Sequence, residues 1–236
     1  MRRDPTDSAP PIRLAVIGVG GTGCALLPLL ASLPLVSITL IDGDTVEATN
    51  LSRQPLYGPG DVGRLKVEVA RERLLHLAPS LPIMSVPSFL DTGNAQLLLA
   101  DHDLVADCTD DLHARLLIDR ICGAHGIPLV SGAVHGVQVQ VVTLHVGSST
   151  SLRSFFPGRS SAEQDGCDMR RVPASVTAFA GALMAEHILA LVNGDRSRAG
   201  ILELIDTRDG RWLRLAPPVP EQRRELLAER TKSEQA

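Results

Sequence analysis

The feature that most constrains this chain is the apolar, β-type run Leu14-Ala-Val-Ile17, which stops at Gly18-Val-Gly20-Gly21-Thr-Gly23 and passes directly into a helical pattern. A second apolar run ends at Ile41-Asp42, 19 residues beyond Gly23. Strand, glycine-rich turn, helix, strand and closing acid, in that order, form the fingerprint of a nucleotide-binding βαβ unit. Each residue type has its own reason. Gly18 permits the tight turn, Gly20 and Gly21 let backbone N–H groups approach a phosphate, Gly23 lets helix and strand pack closely, and Asp42 can accept from ribose hydroxyls. Dehydrogenases, methyltransferases and adenylating enzymes all use such a turn, so it selects a fold and a ligand class before it selects a reaction.

The remainder extends the unit. Residues 1–11 are polar and Pro-rich and read as a flexible arm. Strands are expected at Ile12 to Ile17, Val36 to Ile41, Ile83 to Val86, Asp103 to Asp107 and Ile127 to Ser131. Helices are expected at about Gly21 to Ser32, Arg64 to Ala78, Gly93 to Ala100 and Leu112 to Ala124. The second helix places Val67, Ala70, Leu74 and Leu77 on one face. Strictly alternating strands and helices imply a Rossmann-like, doubly wound α/β fold with a mostly parallel sheet and ligands at the strands' carboxyl ends. Between strand and helix, residues 42–63 form a long irregular stretch, and loops of that length tend to be functional.

From Val134 to Val146 the pattern changes to alternation, Val137-Gln-Val-Gln-Val141, which predicts one strand of an antiparallel C-terminal extension with a wet face. A polar crossing loop, 147–172, carries Cys167. An apolar helix from Pro173 to Val192 and two short strands near 201–205 and 211–215 complete a single domain over 12–216, and 217–236 is a charged tail.

Composition excludes some classes. The net charge of −4 offers no footprint for nucleic acid or for an anionic membrane. Cys24, Cys108, Cys122 and Cys167 form no Cys-x-x-Cys pair, which argues for a reducing compartment and against a zinc site. Arg2 and Arg3 ahead of an apolar stretch have the look of a leader, but Asp4, Asp7, Pro28, Pro34 and four glycines interrupt it, so a cytoplasmic protein is expected.

The segment Asp42-Gly-Asp44-Thr-Val-Glu-Ala-Thr-Asn50-Leu-Ser-Arg53-Gln54, with Lys66 behind it, resembles the ThiF/MoeB/HesA family of adenylyltransferases, bacterial relatives of ubiquitin-activating enzymes. The resemblance continues through Asp107-Cys-Thr-Asp110-Asp111-Leu-His-Ala-Arg115 and Pro128 to Ala133, fades in the crossing loop, and resumes at Val176 to Glu186. It implies ATP- and Mg²⁺-dependent adenylation of the C-terminal glycine of a small ubiquitin-like sulfur-carrier protein ending in Gly-Gly, in a thiamine or molybdopterin-type pathway, by a homodimer. Arg53 and Lys66 would then clamp the triphosphate, Asp110 would hold Mg²⁺, Asp42 would bind ribose, and Asn50 and Gln54 would orient phosphate oxygens, with Asp44 beside them. In some members a cysteine at the position of Cys167 takes part in transfer.

Those roles make physical sense, because a triphosphate carries more negative charge than a helix N-terminus offsets. Each also has a plainer rival. Arg53 is one of many arginines, and Asp110 suits a helix N-cap. Lys66 stands out: of 23 lysines and arginines, only Lys66 and Lys232 are lysine. A compact ammonium in a chain that otherwise prefers Arg suits a phosphate-binding point charge.

The chain also departs from the family. The two zinc-binding cysteine pairs of many members are missing, as is the N-terminal segment that sends an arginine into the partner subunit's site. Two other functions therefore stay open: an NAD(P)-dependent oxidoreductase using the same turn, and a non-catalytic carrier-binding scaffold.

Overall fold

The computed structural model describes residues 12–147, 150–155 and 172–217. Five parallel strands form the core of an eight-stranded sheet: β1 (Ile12–Ile17), β2 (Leu35–Ile41), β3 (Ile83–Val86), β4 (Leu104–Asp107) and β5 (Leu129–His135). Three antiparallel strands extend it: β6 (Gln138–Leu144), β7 (Leu202–Asp206) and β8 (Arg211–Leu215). The order β3-β2-β1-β4-β5-β6-β7-β8 reverses direction between β1 and β4, so the crevice between their carboxyl ends is the topological switch point where ligands bind in such folds.

Alternation along each strand builds two cores. Leu14, Val16, Ile38, Leu40, Val139 and Val141 face α1 (Gly21–Leu30), α2 (Lys66–Leu77) and α6 (Ala174–Val192). Ala15, Ile17, Val105, Leu129, Val142 and Leu144 face the opposite side, with α3 (Ala95–Leu99), α4 (Leu112–His125) and α5 (Leu152–Phe155). Leu26, Leu27 and Leu30 of α1 are fully buried, worth roughly 1.5–3 kcal/mol each. That burial anchors the helix whose N-terminus meets the glycine turn. α6 is long and apolar enough to cross a membrane, yet nine of its residues are buried inside this domain.

Local chemistry sets the helix ends. The Asp111 carboxylate caps α4 by accepting from Ala114 N–H at 2.7 Å, and Gly126 closes it in the left-handed region at φ 65°.

Three expectations need correction. The run 134–146 is a hairpin and not one strand: β5 continues to His135, turns through Gly136 and Val137, and returns as β6. The face of α2 is carried by Val69 where Leu77 was expected, since Leu77 is the last residue of the helix and is 58% exposed. The crossing loop, irregular in expectation, holds the short helix α5 in its described part. Cys167 lies outside the described residues.

Candidate functional site

One cleft of about 910 Å³ opens over the switch point, a size suited to a small-molecule ligand. It gathers Gly18, Gly20, Gly21, Asp42, Asp44, Asn50, Arg53, Gln54, Lys66 and Asp110. Gly23 is not on its wall. A Cβ there would lie 2.2 Å from Gly18 O, so this glycine serves helix-to-turn packing. At Gly21 a Cβ would meet Thr177 of α6 at 2.9 Å, so its missing side chain makes room for a helix as well as for a ligand.

Asp42 is fixed from both sides. Its Oδ2 accepts from Val19 N–H at 2.7 Å and its Oδ1 from Asp44 N–H at 2.8 Å. Each oxygen keeps a lone pair for a further donor, as ribose recognition requires.

Beyond β2 the chain makes two single 3-10 turns, Ala48–Asn50 and Pro59–Asp61, and folds back across the glycine turn. Asp61 holds that return. It accepts from Gly58 N–H at 2.8 Å and pairs with Arg73 and Arg64 at 2.9 and 3.3 Å, which keeps its carboxyl below the usual range. Arg53, Gln54 and Lys66 are consequently buried at the back of the cleft, 9%, 3% and 5% exposed. Lys66 Nζ donates to Asp44 Oδ2 at 2.8 Å. Arg53 donates to Asn50 Oδ1 at 2.6 Å and to Thr49 O at 3.2 Å, leaving most of its five N–H groups unengaged among the described residues. Asn50 thus positions Arg53. Gln54 Oε1 is buried with no hydrogen-bond partner among the described residues, a group left ready for a ligand or water donor.

The opposite wall comes from β4. Asp111 takes the N-cap, and Asp110 stands exposed at the cleft with no hydrogen bond or ion pair among the described residues. Fully buried Asp107 braces this corner. It accepts from Thr109 N–H and Oγ1 at 3.0 and 2.7 Å and from Ser131 Oγ at 2.7 Å, with Arg115 Nε at 3.6 Å.

Several cleft residues had no role in the sequence reading. Phe89, 62% exposed, lies against Gly43, where a Cβ would touch its ring at 2.6 Å, and offers an aromatic face at the mouth. Arg115 and Arg153 add cations, and Gln138 and Gln140 of β6 line the far side. The wet face inferred from the Val-Gln alternation is this cleft wall. Burial pushes the Cys24 thiol up to about 12 and raises Cys108 and Cys122 as well, so none of the three is poised as a thiolate.

A doubly wound, mostly parallel sheet whose switch-point cleft holds a glycine turn, a pinned acid after β2 and two buried cations defines a Rossmann-like α/β protein. Comparison with known proteins makes this specific: the chain belongs to the ThiF family, whose model matches residues 7–225. It is 42% identical over 129 residues to the molybdopterin-synthase adenylyltransferase of Escherichia coli, covering 55% of this chain and 52% of that one. It is 34% identical over 180 residues to the adenylyltransferase and sulfurtransferase UBA4 of Meyerozyma guilliermondii, covering 76% of this chain and 42% of that one. The chain thus spans about half the length of the curated relatives it matches. Among solved structures, E. coli MccB with ATP superposes with a TM-score of 0.78 at 18% identity, over 91% of this chain and 66% of that one, a likeness of fold.

Proposed function

We propose that this chain adenylates the C-terminal carboxylate of a small ubiquitin-like sulfur-carrier protein, using ATP and releasing pyrophosphate. The observation that carries the reading is the placement of buried Arg53 and Lys66 beside the N-terminus of α1 in one cleft. A dinucleotide's two phosphates are commonly met by the helix N-terminus itself, whereas a departing pyrophosphate needs added positive charge. Family membership and relatives named as adenylyltransferases support the same reading.

In this reading Asp42 takes the ribose and Phe89 covers the base. The N–H groups at the glycine turn, with Arg53, Lys66 and Gln54, take the phosphates. Lys66 is held by Asp44 in the absence of nucleotide and shares its protons with phosphate oxygens when ATP enters. The carrier carboxylate approaches from the Gln138 and Gln140 side. One of its oxygens forms a bond to the α-phosphorus as the bond from that phosphorus to the pyrophosphate oxygen breaks. Such an in-line transfer needs positioning and charge neutralisation and no covalent help from the protein.

The residues fit Mg²⁺. This ion binds through one or two carboxylates together with substrate phosphates, and Asp110 is a carboxylate left open at the cleft. When bound there it would neutralise phosphate charge.

Pyrophosphate exchange into ATP, with and without a panel of carriers ending in Gly-Gly, tests the proposal. Exchange that needs a carrier and disappears when its last glycine is deleted is the expected result. Binding of Mg-ATP and carrier with no exchange would replace the proposal with a non-catalytic scaffold.

A further inference from the structure

The backbone of the glycine turn is held by a residue that no part of the proposed reaction uses. Tyr57, the chain's only tyrosine, is 6% exposed and sits in the segment that folds back over the turn. Its hydroxyl donates to Val19 O at 2.8 Å and lies 3.4 Å from Lys66 O. A phenol has one proton, and the shorter contact takes it. Val19 O also accepts from the Cys24 thiol, at 3.4 Å. On its other side, Val19 N–H is fixed by Asp42.

This arrangement fixes more than one carbonyl. The peptide joining Val19 and Gly20 is planar and trans, as are all described peptides, so the Gly20 N–H points opposite to the Val19 carbonyl. With the carbonyl directed into the buried pocket of Tyr57 and Cys24, the Gly20 N–H is turned away from them, on the side where Gly20 lines the cleft. Gly20 is the N-cap of α1 and brings no side-chain cap, so the helix N-terminus is left for a ligand's oxygen. Glycine at this position also makes the opposite peptide orientation accessible at little steric cost. That flip would bring a carbonyl oxygen, and with it negative charge, to the place where a phosphate is to bind.

We propose that Tyr57 is a positioning residue that holds the Val19–Gly20 peptide with its N–H aimed at the nucleotide phosphates. It thereby ties the orientation of the glycine turn to the segment that carries Arg53 and Lys66. The proposal rests on the nucleotide reading above.

The test titrates the full chain and its Tyr57→Phe variant with ATP, inorganic pyrophosphate and adenosine. Phenylalanine keeps the ring and removes only the hydroxyl. ATP and pyrophosphate binding are expected to weaken on the order of tenfold, the scale of one charge-assisted hydrogen bond, while adenosine binding is unchanged. Equal ATP affinity in the two proteins overturns the proposal. So does equal weakening for ATP and adenosine, which would mark a purely structural residue.

A second measurement does not depend on the variant folding. Because Tyr57 is the only tyrosine, global replacement with 3-fluorotyrosine labels this position alone. Its fluorine resonance is expected to move with ATP and with pyrophosphate and to stay with adenosine; no movement on ATP saturation overturns the proposal. Failure of the unaltered chain to bind ATP is visible before any variant is made, and it would overturn the nucleotide reading and the role of Tyr57 together.

Discussion

The two ends of the sheet bury charge in opposite ways. At the parallel end, Lys66, Arg53 and Gln54 are almost wholly buried, yet each faces the cleft and keeps hydrogen-bonding capacity in reserve. At the antiparallel end, Glu203 is 1% exposed and is closed in by two donors, Trp212 Nε1 at 2.8 Å and Arg198 at 3.2 Å, with the Arg214 guanidinium at 3.7 Å and His187 Nε2, which makes no hydrogen bond among the described residues, at 3.5 Å. That cluster borders no part of the cleft. A buried ion is costly unless its surroundings compensate it. At Glu203 the protein itself compensates, and the result is a structural clamp for α6, β7 and β8. At Lys66 and Arg53 compensation is partial, and a ligand can complete it.

The sharpest way to break this contrast is to remove charge at each end and ask which property suffers. Lys66→Ala and Arg53→Ala should each lower carrier-dependent pyrophosphate exchange by about 10²–10³-fold, the scale seen when one transition-state charge partner is deleted. Circular dichroism and the melting temperature should change little, because a cation facing a cleft contributes modestly to the fold. Full activity in both variants would remove these residues from the site.

Glu203→Ala should do the reverse. Trp212 Nε1 loses its acceptor, and Arg198 and Arg214 lose their common anion. Both arginines reach solvent, so the loss should sit near 3 kcal/mol, the low end for breaking a buried pair. Urea denaturation reads it. Exchange per folded molecule, measured well below the melting temperature, should match the parent; a specific loss of exchange with intact stability would show that the clamp is no mere clamp.

The two ends should also respond to acid in different windows. His187 is fully buried and accepts or donates at Nδ1 with Thr143 Oγ1 at 2.8 Å. Burial lowers its pKa to about 4; Glu203 opposes that shift, and Arg198 and Arg214 add to it. The folded pKa lies below the unfolded value of about 6.5, so the unfolded chain takes up a proton first. Stability from this group is therefore present above pH 6.5 and declines as pH falls toward 4, by up to about 3 kcal/mol. Asp61, at the cleft end, is depressed mainly by its Gly58 N–H bond and by Arg73, so its contribution is lost only below the usual carboxylate range. The midpoint of urea unfolding at pH 7 and at pH 4.5 separates them. In His187→Asn the decline across that interval should become shallower, and an unchanged slope would mean that other groups carry it.

Much of the parallel end was legible in the sequence, because its signals are local. Leu14 to Asp42 holds strand, turn, helix and acid within one stretch, and Lys66 stood out against a background of arginine. What stayed hidden depends on tertiary placement. Phe89 follows β3 and Arg153 sits on α5, and neither carries a local pattern that points to the cleft. Alternation marked Gln138 and Gln140 as wet but not as facing a cleft, since periodicity reports the polarity of a face and not what lies beyond it. Asp110 suited a helix cap as well as a metal ligand until the Ala114 N–H showed that its neighbour Asp111 is the cap. Glu203 and His187 lie 16 residues apart in sequence, on a helix and a strand that meet only in the folded sheet.

The smallest expected effect concerns the seam that joins the two ends. Gly181 of α6 lies against α1, where an added Cβ would stand 2.7 Å from Ala25 Cβ and from Leu26 N. The second of these is backbone and cannot step aside, so Gly181→Ala must push the helices apart, at a cost of about 1–3 kcal/mol. Higher helix propensity returns up to about 1 kcal/mol, leaving a net loss of roughly 0–2 kcal/mol. α6 carries His187 toward the antiparallel end, and α1 begins at the glycine turn. Melting temperature and ATP affinity measured on the same variant therefore report on different things. A lower melting temperature with a parallel loss of ATP affinity would mean that the crossing transmits strain to the turn. A lower melting temperature with unchanged affinity would mean that Asp42 and Tyr57 hold the turn on their own, so that the clamp and the cleft are separately built. No change in either would mean that the helices separate more freely than a close-packed crossing allows.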